Sequence, residues 1–230
     1  ADGGGISNSF PGRIVHNELD HNYVFCEQGI ASGGGLSGFT AQDPATPAMM
    51  ISGNTVTHNK VVSNTMGPIG AVAGGMEVYG FNVLVSNNLI SHNEVISAND
   101  ASYGAGVVLD FPDTGVIFQN NVVSHNIFSG TGGCLGGAIA IWDGDARVFN
   151  NILSHNQASK GAGIYITIEN TISRPHIINN TISMNEATVA GGGIYTNGSE
   201  PTTMNSILWK NLAPAGPEIF VDGGTIFVSY

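Results

Sequence analysis

Five histidines occupy equivalent places along the chain, because each directly precedes an asparagine: His21, His58, His92, His125 and His155. The intervals between them are 37, 34, 33 and 30 residues, so a regularly coiling chain would stack the five side chains in one column. Two neutral imidazoles about 4.8 Å apart could share a metal ion, since imidazole nitrogen is a common zinc ligand. The alternative is a structural column whose rings stack and shield the neighbouring asparagines, and we favour this interpretation.

A second group that could do chemistry is acidic and follows the glycine-led segments around Gly106, Gly137 and Gly163. Aligning these segments places five carboxylates near one corner: Asp110, Asp113, Asp143, Asp145 and Glu169. Carboxylates on neighbouring coils could be the acid and base of a glycoside hydrolase, or they could bind Ca²⁺. A solvated acidic turn explains the same residues, because Asp-Gly-Asp is ordinary turn chemistry.

We favour the turn, and therefore predict no catalytic residue, no metal ligand and no cofactor. The alternative is a polysaccharide lyase or glycoside hydrolase that uses Asp113, Asp143, Asp145 and Arg147. The alternative cofactor is Ca²⁺, held by the five carboxylates of this corner. Whether the protein is an enzyme stays open, with the balance against it.

Aromatic residues supply a third candidate, a binding surface. Tyr23, Phe25, Tyr103 and Phe128 lie in segments that connect an asparagine to the next glycine cluster, and Trp142 flanks the acidic corner. These connecting segments are 10, 14, 10 and 9 residues long in the first four repeats and only 4 and 5 afterwards. Loops on a rigid repeat scaffold commonly carry binding sites. We predict an aromatic platform for a glycan or a protein, with simple packing of the loops as the alternative.

The elements that must position these residues form an internal repeat. A glycine cluster running into an apolar residue alternates seven times with a strand-like segment closed by an asparagine. In the repeat around Gly163, apolar alternation predicts strands at 164–168, 176–178 and 181–183. A unit of about 30 residues with three short strands and no helical periodicity is typical of one coil of a β-solenoid.

The closing asparagines predict a ladder along one corner of this solenoid. They recur at intervals of 37, 34, 33, 30, 29 and 26 residues: Asn22, Asn59, Asn93, Asn126, Asn156, Asn185 and Asn211. Asparagine tolerates the left-handed backbone of a corner, and its amide can bond to the equivalent amide one coil away. Stacked coils lie about 4.8 Å apart, which suits such bonds.

Composition excludes several classes of protein. The net charge is −11 and only six residues are basic, so a nucleic-acid binder is excluded. No run of apolar residues is long enough for a transmembrane segment. The chain contains 33 glycines and only 10% charged residues, which argues against a helical protein. This balance favours an extracellular or bacterial cell-surface protein.

The coils resemble the right-handed parallel β-helix repeat superfamily, the pectate-lyase-like architecture. Gly136-Gly137-Ala138-Ile139 is similar to the GGA(I/L/V) motif, and Phe118-Gln119-Asn120-Asn121 to the FxxN motif, of polymorphic outer-membrane-type adhesin repeats. The resemblance implies a right-handed helix. The Gly-His-Gly and Arg-Ile-Lys tripeptides of the polygalacturonase-type members do not occur in this sequence.

We therefore predict an all-β chain, a single right-handed parallel β-helix domain of about seven coils over residues 1–230. It would be a segment of a longer surface protein or a self-stacking unit. The predicted function is a non-catalytic stalk or adhesion module that binds a polysaccharide or cell-surface glycan through the loops of its N-terminal half. One alternative is a polysaccharide-active enzyme at the acidic corner. The other is a fibre subunit that associates through uncapped coil ends.

Overall fold

The computed structural model describes residues 4–27, 29–40, 48–64, 70–98, 101–112, 115–170 and 172–230. These residues form short β-strands joined by turns. The first eleven strands are β1 (Ile6–Asn8), β2 (Arg13–Val15), β3 (Glu18–Asp20), β4 (Tyr23–Cys26), β5 (Ala31–Ser32), β6 (Leu36–Phe39), β7 (Met49–Ser52), β8 (Thr55–Thr57), β9 (Lys60–Ser63), β10 (Ala71–Val72) and β11 (Met76–Tyr79). The next eleven are β12 (Val83–Ser86), β13 (Leu89–Ser91), β14 (Glu94–Ser97), β15 (Ser102–Tyr103), β16 (Val107–Asp110), β17 (Ile117–Gln119), β18 (Val122–Ser124), β19 (Ile127–Phe128), β20 (Cys134–Leu135), β21 (Ile139–Trp142) and β22 (Arg147–Phe149). The remainder are β23 (Ile152–Ser154), β24 (Gln157–Lys160), β25 (Ile164–Thr167), β26 (His176–Ile178), β27 (Thr181–Ser183), β28 (Glu186–Ala190), β29 (Ile194–Asn197), β30 (Thr202–Met204), β31 (Ile207–Trp209), β32 (Ile219–Asp222) and β33 (Phe227–Ser229).

The strands assemble into five parallel sheets, each built from one strand of successive repeats. Sheet 1 has the order β1-β6-β11-β16-β21-β25-β29-β32, and sheet 2 the order β2-β7-β12-β17-β22-β26-β30-β33. Sheet 3 is β3-β8-β13-β18-β23-β27-β31, sheet 4 is β19-β14-β9-β4, and sheet 5 is β28-β24-β20-β15-β10-β5. This arrangement is consistent with a parallel β-helix and confirms the all-β prediction. Among the described residues, no helix is long and apolar enough to cross a membrane.

Apolar columns fill the space between sheets 1, 2 and 3. In sheet 2, Phe118 pairs with Val148, and Val148 pairs with Ile177; all three side chains are fully buried. Sheet 3 contributes a parallel column that includes Ile90 and Val123. Alternation along each three-residue strand turns its middle residue inward, so every repeat adds a layer to one continuous core.

The asparagine ladder is present and buried. Asn126 donates its side-chain amide to the Oδ1 of Asn156 at 3.0 Å and to the carbonyl of Ile90 at 3.1 Å. Its own Oδ1 accepts the backbone N–H of Asn93 at 3.0 Å and the side-chain amide of Asn93 at 2.9 Å. The ladder ends at Glu218, whose Oε2 accepts from the amide of Asn211 at 2.6 Å. Each amide thus satisfies polar groups that the coil corner would otherwise bury.

A second ladder of the same kind runs along the corner between sheets 2 and 3. Its members are Asn17, Asn54, Asn88, Asn121, Asn151 and Asn180. In both ladders the left-handed residue is the one before the ladder asparagine, and not the ladder asparagine itself. At His125, before Asn126, φ is 57°, and at Asn120, before Asn121, φ is 55°. The histidine column therefore marks the tight turns of one corner.

The glycine clusters turn the chain from sheet 5 into sheet 1. Gly136 has a φ of 88°, a conformation that glycine adopts without a steric penalty. At the next residue, Gly137, an added Cβ would lie 2.4 Å from the carbonyl oxygen of Ala162 in the next repeat. A side chain there would push adjacent coils apart, which explains why glycine recurs at this corner.

Most repeats contain more than the three strands that the sequence predicts, because the connecting segments also form strands. In the first four repeats each segment forms two strands, one in sheet 4 and one in sheet 5. In the next two repeats the segment is shorter and forms a single strand, Gln157–Lys160 or Glu186–Ala190. The change from long to short connecting segments therefore coincides with the end of sheet 4.

Candidate functional site

Sheets 1 and 5 meet at an inside corner, where the outward faces of the two sheets turn towards each other. In sheet 5, Tyr103 pairs with Leu135, and Leu135 with Lys160. Val72, Val108 and Ala140 are buried against one another and against Tyr103. We call the surface formed by the outward residues of sheets 1 and 5 at this corner the corner groove. Its base, which includes Val72, Val108 and Ala140, is apolar although it lies outside the solenoid core.

A continuous row of eight aromatic rings follows the corner groove along the stacked coils. From one end to the other the row consists of Phe39, Tyr79, Phe111, Trp142, Tyr103, Tyr165, Tyr195 and Phe220. Successive centroids are 6.1, 5.8, 6.4, 4.7, 6.5, 5.3 and 5.3 Å apart, which is the range of favourable aromatic contacts. Tyr165 and Tyr195 are buried, and the other six rings are half-buried. We call this set the aromatic row.

The closest pair in the aromatic row joins the two sheets. Tyr103 belongs to β15 in sheet 5, and Trp142 ends β21 in sheet 1. Their rings are stacked with an angle of 22° between their planes. Both residues were predicted to bind a ligand, and the structure places them side by side, although 39 positions separate them in the sequence.

Asp110 lies inside the aromatic row, paired in sheet 1 with Tyr79 on one side and Trp142 on the other. Its Oδ1 is buried and has no hydrogen-bond partner in the described part of the chain. Burial, and then the charges of Glu77, Asp143 and Glu169, raise the pKa of Asp110 to about 7. A fraction of this carboxyl group is therefore protonated at neutral pH.

Other polar groups of the corner groove are hydrogen-bonded. Glu77 is 7% exposed, and its Oε2 accepts from the hydroxyl of Ser32 at 2.7 Å. Tyr195 donates its hydroxyl to Asp222, and the Nζ of Lys160 lies 3.2 Å from the same hydroxyl oxygen. Burial, and then the proximity of Tyr165, Glu169 and Asp110, raise the pKa of Tyr103 to about 12. Tyr103 therefore keeps its hydroxyl proton at neutral pH.

Two of the predicted carboxylates shape loops. Asp143 accepts the backbone N–H groups of Glu169 and Asn170, the second at 2.7 Å. Asp145 accepts the backbone N–H of Arg174 at 2.7 Å. Both acids thus hold the loop of the following repeat in place.

The predicted calcium set does not converge in the described residues. Asp110, Asp143, Asp145 and Glu169 do not include three groups with oxygens within 4.8 Å of one another. Asp113 lies outside the described residues. A calcium site at this corner therefore remains a prediction.

Arg147, predicted as part of an alternative catalytic set, lies on a different face. It is exposed on β22 of sheet 2, paired between Ile117 and His176. Arg147 therefore lies in a different sheet from Trp142 and Asp110.

The remaining predicted aromatic residues divide into two kinds. Tyr23 and Phe25 are 58% and 45% exposed on β4, with parallel rings 6.5 Å apart. Phe128 packs instead against the buried cluster of Val24, Val95 and their neighbours. Of the four aromatic residues predicted to form a platform on the connecting segments, Tyr23 and Phe25 are exposed as a pair, whereas Tyr103 and Phe128 are partly buried.

The histidine column is stacked as the spacing indicates. Centroids of neighbouring rings lie 4.9, 5.1, 4.9 and 4.8 Å apart along His21, His58, His92, His125 and His155. The rings are exposed to solvent. Asp20 adds a carboxylate beside the first two rings, a residue that sequence reasoning missed.

Sequence reasoning also missed most of the aromatic row. Phe39, Tyr79 and Trp142 occupy the same place, the fourth residue of the glycine-led strand, and Tyr165 and Tyr195 occupy the second. Alternation turns the second and fourth residues outward. The available signal was therefore aromatic enrichment at outward positions of a single strand type.

In comparisons with known proteins, no family model, no curated protein and no solved structure matches this chain.

Proposed function

We propose that this chain is a non-catalytic glycan-binding module of an extracellular or cell-surface protein, built as a right-handed parallel β-helix of about seven coils. The single observation that carries the proposal is the aromatic row, with the stacked Tyr103 and Trp142 at its centre. Six of its eight rings keep part of their surface open to solvent. Partly exposed rings that are already packed in a row give an extended ligand a series of apolar contacts at a small cost in ordering the protein.

Polar groups beside the rings favour a glycan over a purely apolar ligand. Asp110 can accept or donate a hydrogen bond at neutral pH, because its pKa is about 7. Tyr103 remains a hydroxyl donor. A sugar can place an apolar face against an aromatic ring and can hydrogen-bond its hydroxyl groups to such side chains. The aromatic rings and the polar groups of the corner groove could therefore both contact it.

The charge of the corner groove selects among glycans. Glu77, Asp110, Glu169 and Asp222 lie in or beside the groove, and Lys160 is the basic residue that contacts the row. An anionic polysaccharide would meet like charges there. The proposed ligand is therefore a neutral polysaccharide.

The decisive experiment is affinity electrophoresis through gels that contain neutral or acidic polysaccharides, followed by size analysis of each polymer. We expect a neutral polysaccharide to retard the native chain and keep its length. The variant Trp142→Ala should be retarded much less than the native chain, whereas Trp209→Ala should be retarded like the native chain. Trp209 is a suitable control because it is 59% exposed on sheet 3, away from the corner groove. Equal retardation of all three proteins would refute the corner groove as the binding site.

A second candidate function is favoured by Asp110 alone. A carboxyl group with a pKa of about 7 between aromatic rings has the protonation that a general acid of a glycoside hydrolase requires. Glu77 is one strand away and displaced by two residues, which places the two Cα atoms about 8 Å apart by strand geometry. Polymer shortening by the native chain that Asp110→Asn abolishes would establish this enzyme in place of the binding module. The predicted stacking of coil ends between molecules concerns contacts between chains and remains a prediction.

A further inference from the structure

We propose that Asp20, His21 and His58 form a binding site for Zn²⁺ that links two successive repeats. This site lies on sheet 3 and its corner, apart from the corner groove and independent of the proposed glycan binding. Among the described residues it is the one place where three metal-ligating groups have ligand atoms within 4.8 Å of one another.

The three side chains already point at one another. The Oδ2 of Asp20 lies 2.6 Å from the Nδ1 of His21, and its Oδ1 lies 3.1 Å from the Nδ1 of His58. Ligands of a tetrahedral zinc ion with bonds of about 2.0 Å lie about 3.3 Å apart. The contact between Asp20 and His21 must therefore lengthen by about 0.7 Å, and both rings must turn so that each Nδ1 lone pair points at the same ion.

Exposure makes both entry of the ion and this adjustment feasible. The side chains of His21 and His58 are 73% and 49% exposed, and that of Asp20 is 34% exposed. Because both rings are largely exposed, neither is held in a core, and the present parallel stack with centroids 4.9 Å apart can turn towards an ion. Water can supply the fourth ligand on the open side.

The donor set selects the class of metal. Two imidazole nitrogens with one carboxylate oxygen suit zinc and neighbouring transition ions, whereas Ca²⁺ and Mg²⁺ prefer oxygen ligands throughout. Thr57 donates its hydroxyl to the Oδ1 of Asp20 at 2.9 Å and thereby fixes the orientation of the carboxylate. Such support by a neighbouring hydrogen bond is usual for metal-binding carboxylates.

The other histidine pairs of the column can be compared with the pair His21 and His58. Residues in register with Asp20 are Thr57, Ser91, Ser124 and Ser154, none of which has a carboxylate. His92 and His125 stack at 4.9 Å, as His21 and His58 do, but beside serine. A stack of two imidazoles is thus common to the column, and the third ligand belongs to the first pair alone.

Isothermal titration of the tag-free chain with Zn²⁺ at pH 7.5 tests the site. We expect one bound ion, and affinity that falls roughly tenfold or more in Asp20→Asn and in His58→Asn. His125→Asn should bind like the native chain. Asparagine suits these corners because Asn120 and Asn150 adopt the same left-handed backbone, and circular dichroism would verify that each variant is folded.

Co²⁺ gives a second, optical measurement on the same proteins. A tetrahedral site with bound Co²⁺ develops visible absorption, which we expect from the native chain and from His125→Asn, and not from Asp20→Asn. The proposal is overturned if the native chain binds no Zn²⁺, if Asp20→Asn binds as tightly as the native chain, or if His125→Asn loses as much affinity as His58→Asn.

Discussion

The ring of Tyr103 stacks on the ring of Trp142 with 4.7 Å between their centroids, and the two residues come from different sheets of the solenoid. This contact joins sheet 5 to sheet 1 at the point where Asp110 lies next to Trp142. The corner groove therefore presents an aromatic surface and a carboxyl group at one place, where two parallel sheets meet.

The asparagine ladder is expected to stabilise the middle of the solenoid more than its first repeat. Asn126→Ala would remove the side-chain acceptor of the buried backbone N–H of Asn93, one of the two acceptors of the Asn93 amide, and the amide bond to the carbonyl of Ile90. We expect a loss of about 3 kcal/mol or more in the free energy of unfolding, measured with urea.

Asn22→Ala is the matched control for this change. Asn22 is half-buried and donates to the Oδ1 of Asn59, so the expected loss is about 1 kcal/mol. Equal losses in the two variants would show that burial of the ladder does not determine its contribution.

The histidine column is expected to weaken the fold in acid. Burial, and then the neighbouring His155 and His92, lower the pKa of His125 in the folded chain. The unfolded chain therefore binds a proton at a pH where the folded chain does not, and stability falls as pH decreases below about 6.5. We expect a lower Tm at pH 5 than at pH 7.5, and a smaller difference in His125→Asn. The same difference in both proteins would exclude a contribution from this residue.

Asp110 is expected to make the fold less stable as pH rises, whereas the histidine column makes it less stable as pH falls. Its folded pKa of about 7 exceeds the ordinary value of 3.8, so its favourable contribution is complete in acid and is lost as pH rises through 7. Asp110→Asn stays neutral at both pH values. The Tm of this variant minus the Tm of the native chain should therefore be larger at pH 8 than at pH 4.5. Melting curves of the two proteins at both pH values measure this. A gain that is identical at both pH values would mean that the carboxyl group does not titrate on unfolding.

Much of the fold could be predicted from the sequence, because solenoid coils repeat their constraints. Strands Ile164–Thr167, His176–Ile178 and Thr181–Ser183 lie within a residue of the predicted positions. The ladder containing Asn126 and Asn156 was also predicted, since identical residues at one corner must stack. Both results depend on local periodicity, which is independent of the loops between strands.

The candidate site could be predicted only in part. Tyr103 and Trp142 were each predicted, but not their contact. That contact depends on how sheet 5 lies against sheet 1. The connecting segments vary in length, so the sequence does not show which residues of the two sheets meet. Asp20 was missed because it lacks counterparts: Thr57 and Ser91 occupy its position in the next repeats. Residues that recur are visible in the repeat, whereas a site often depends on a residue that does not recur.

The affinity of Trp142→Ala for the polysaccharide that retards the native chain tests the central claim most directly. Isothermal titration would compare this variant with the native chain and with Trp209→Ala. We predict affinity up to about tenfold weaker for Trp142→Ala, because an aromatic contact contributes about 0.5–1.5 kcal/mol, and an unchanged affinity for Trp209→Ala. An unchanged affinity for Trp142→Ala, in a variant whose circular dichroism matches that of the native chain, would contradict the assignment of the corner groove as the glycan site.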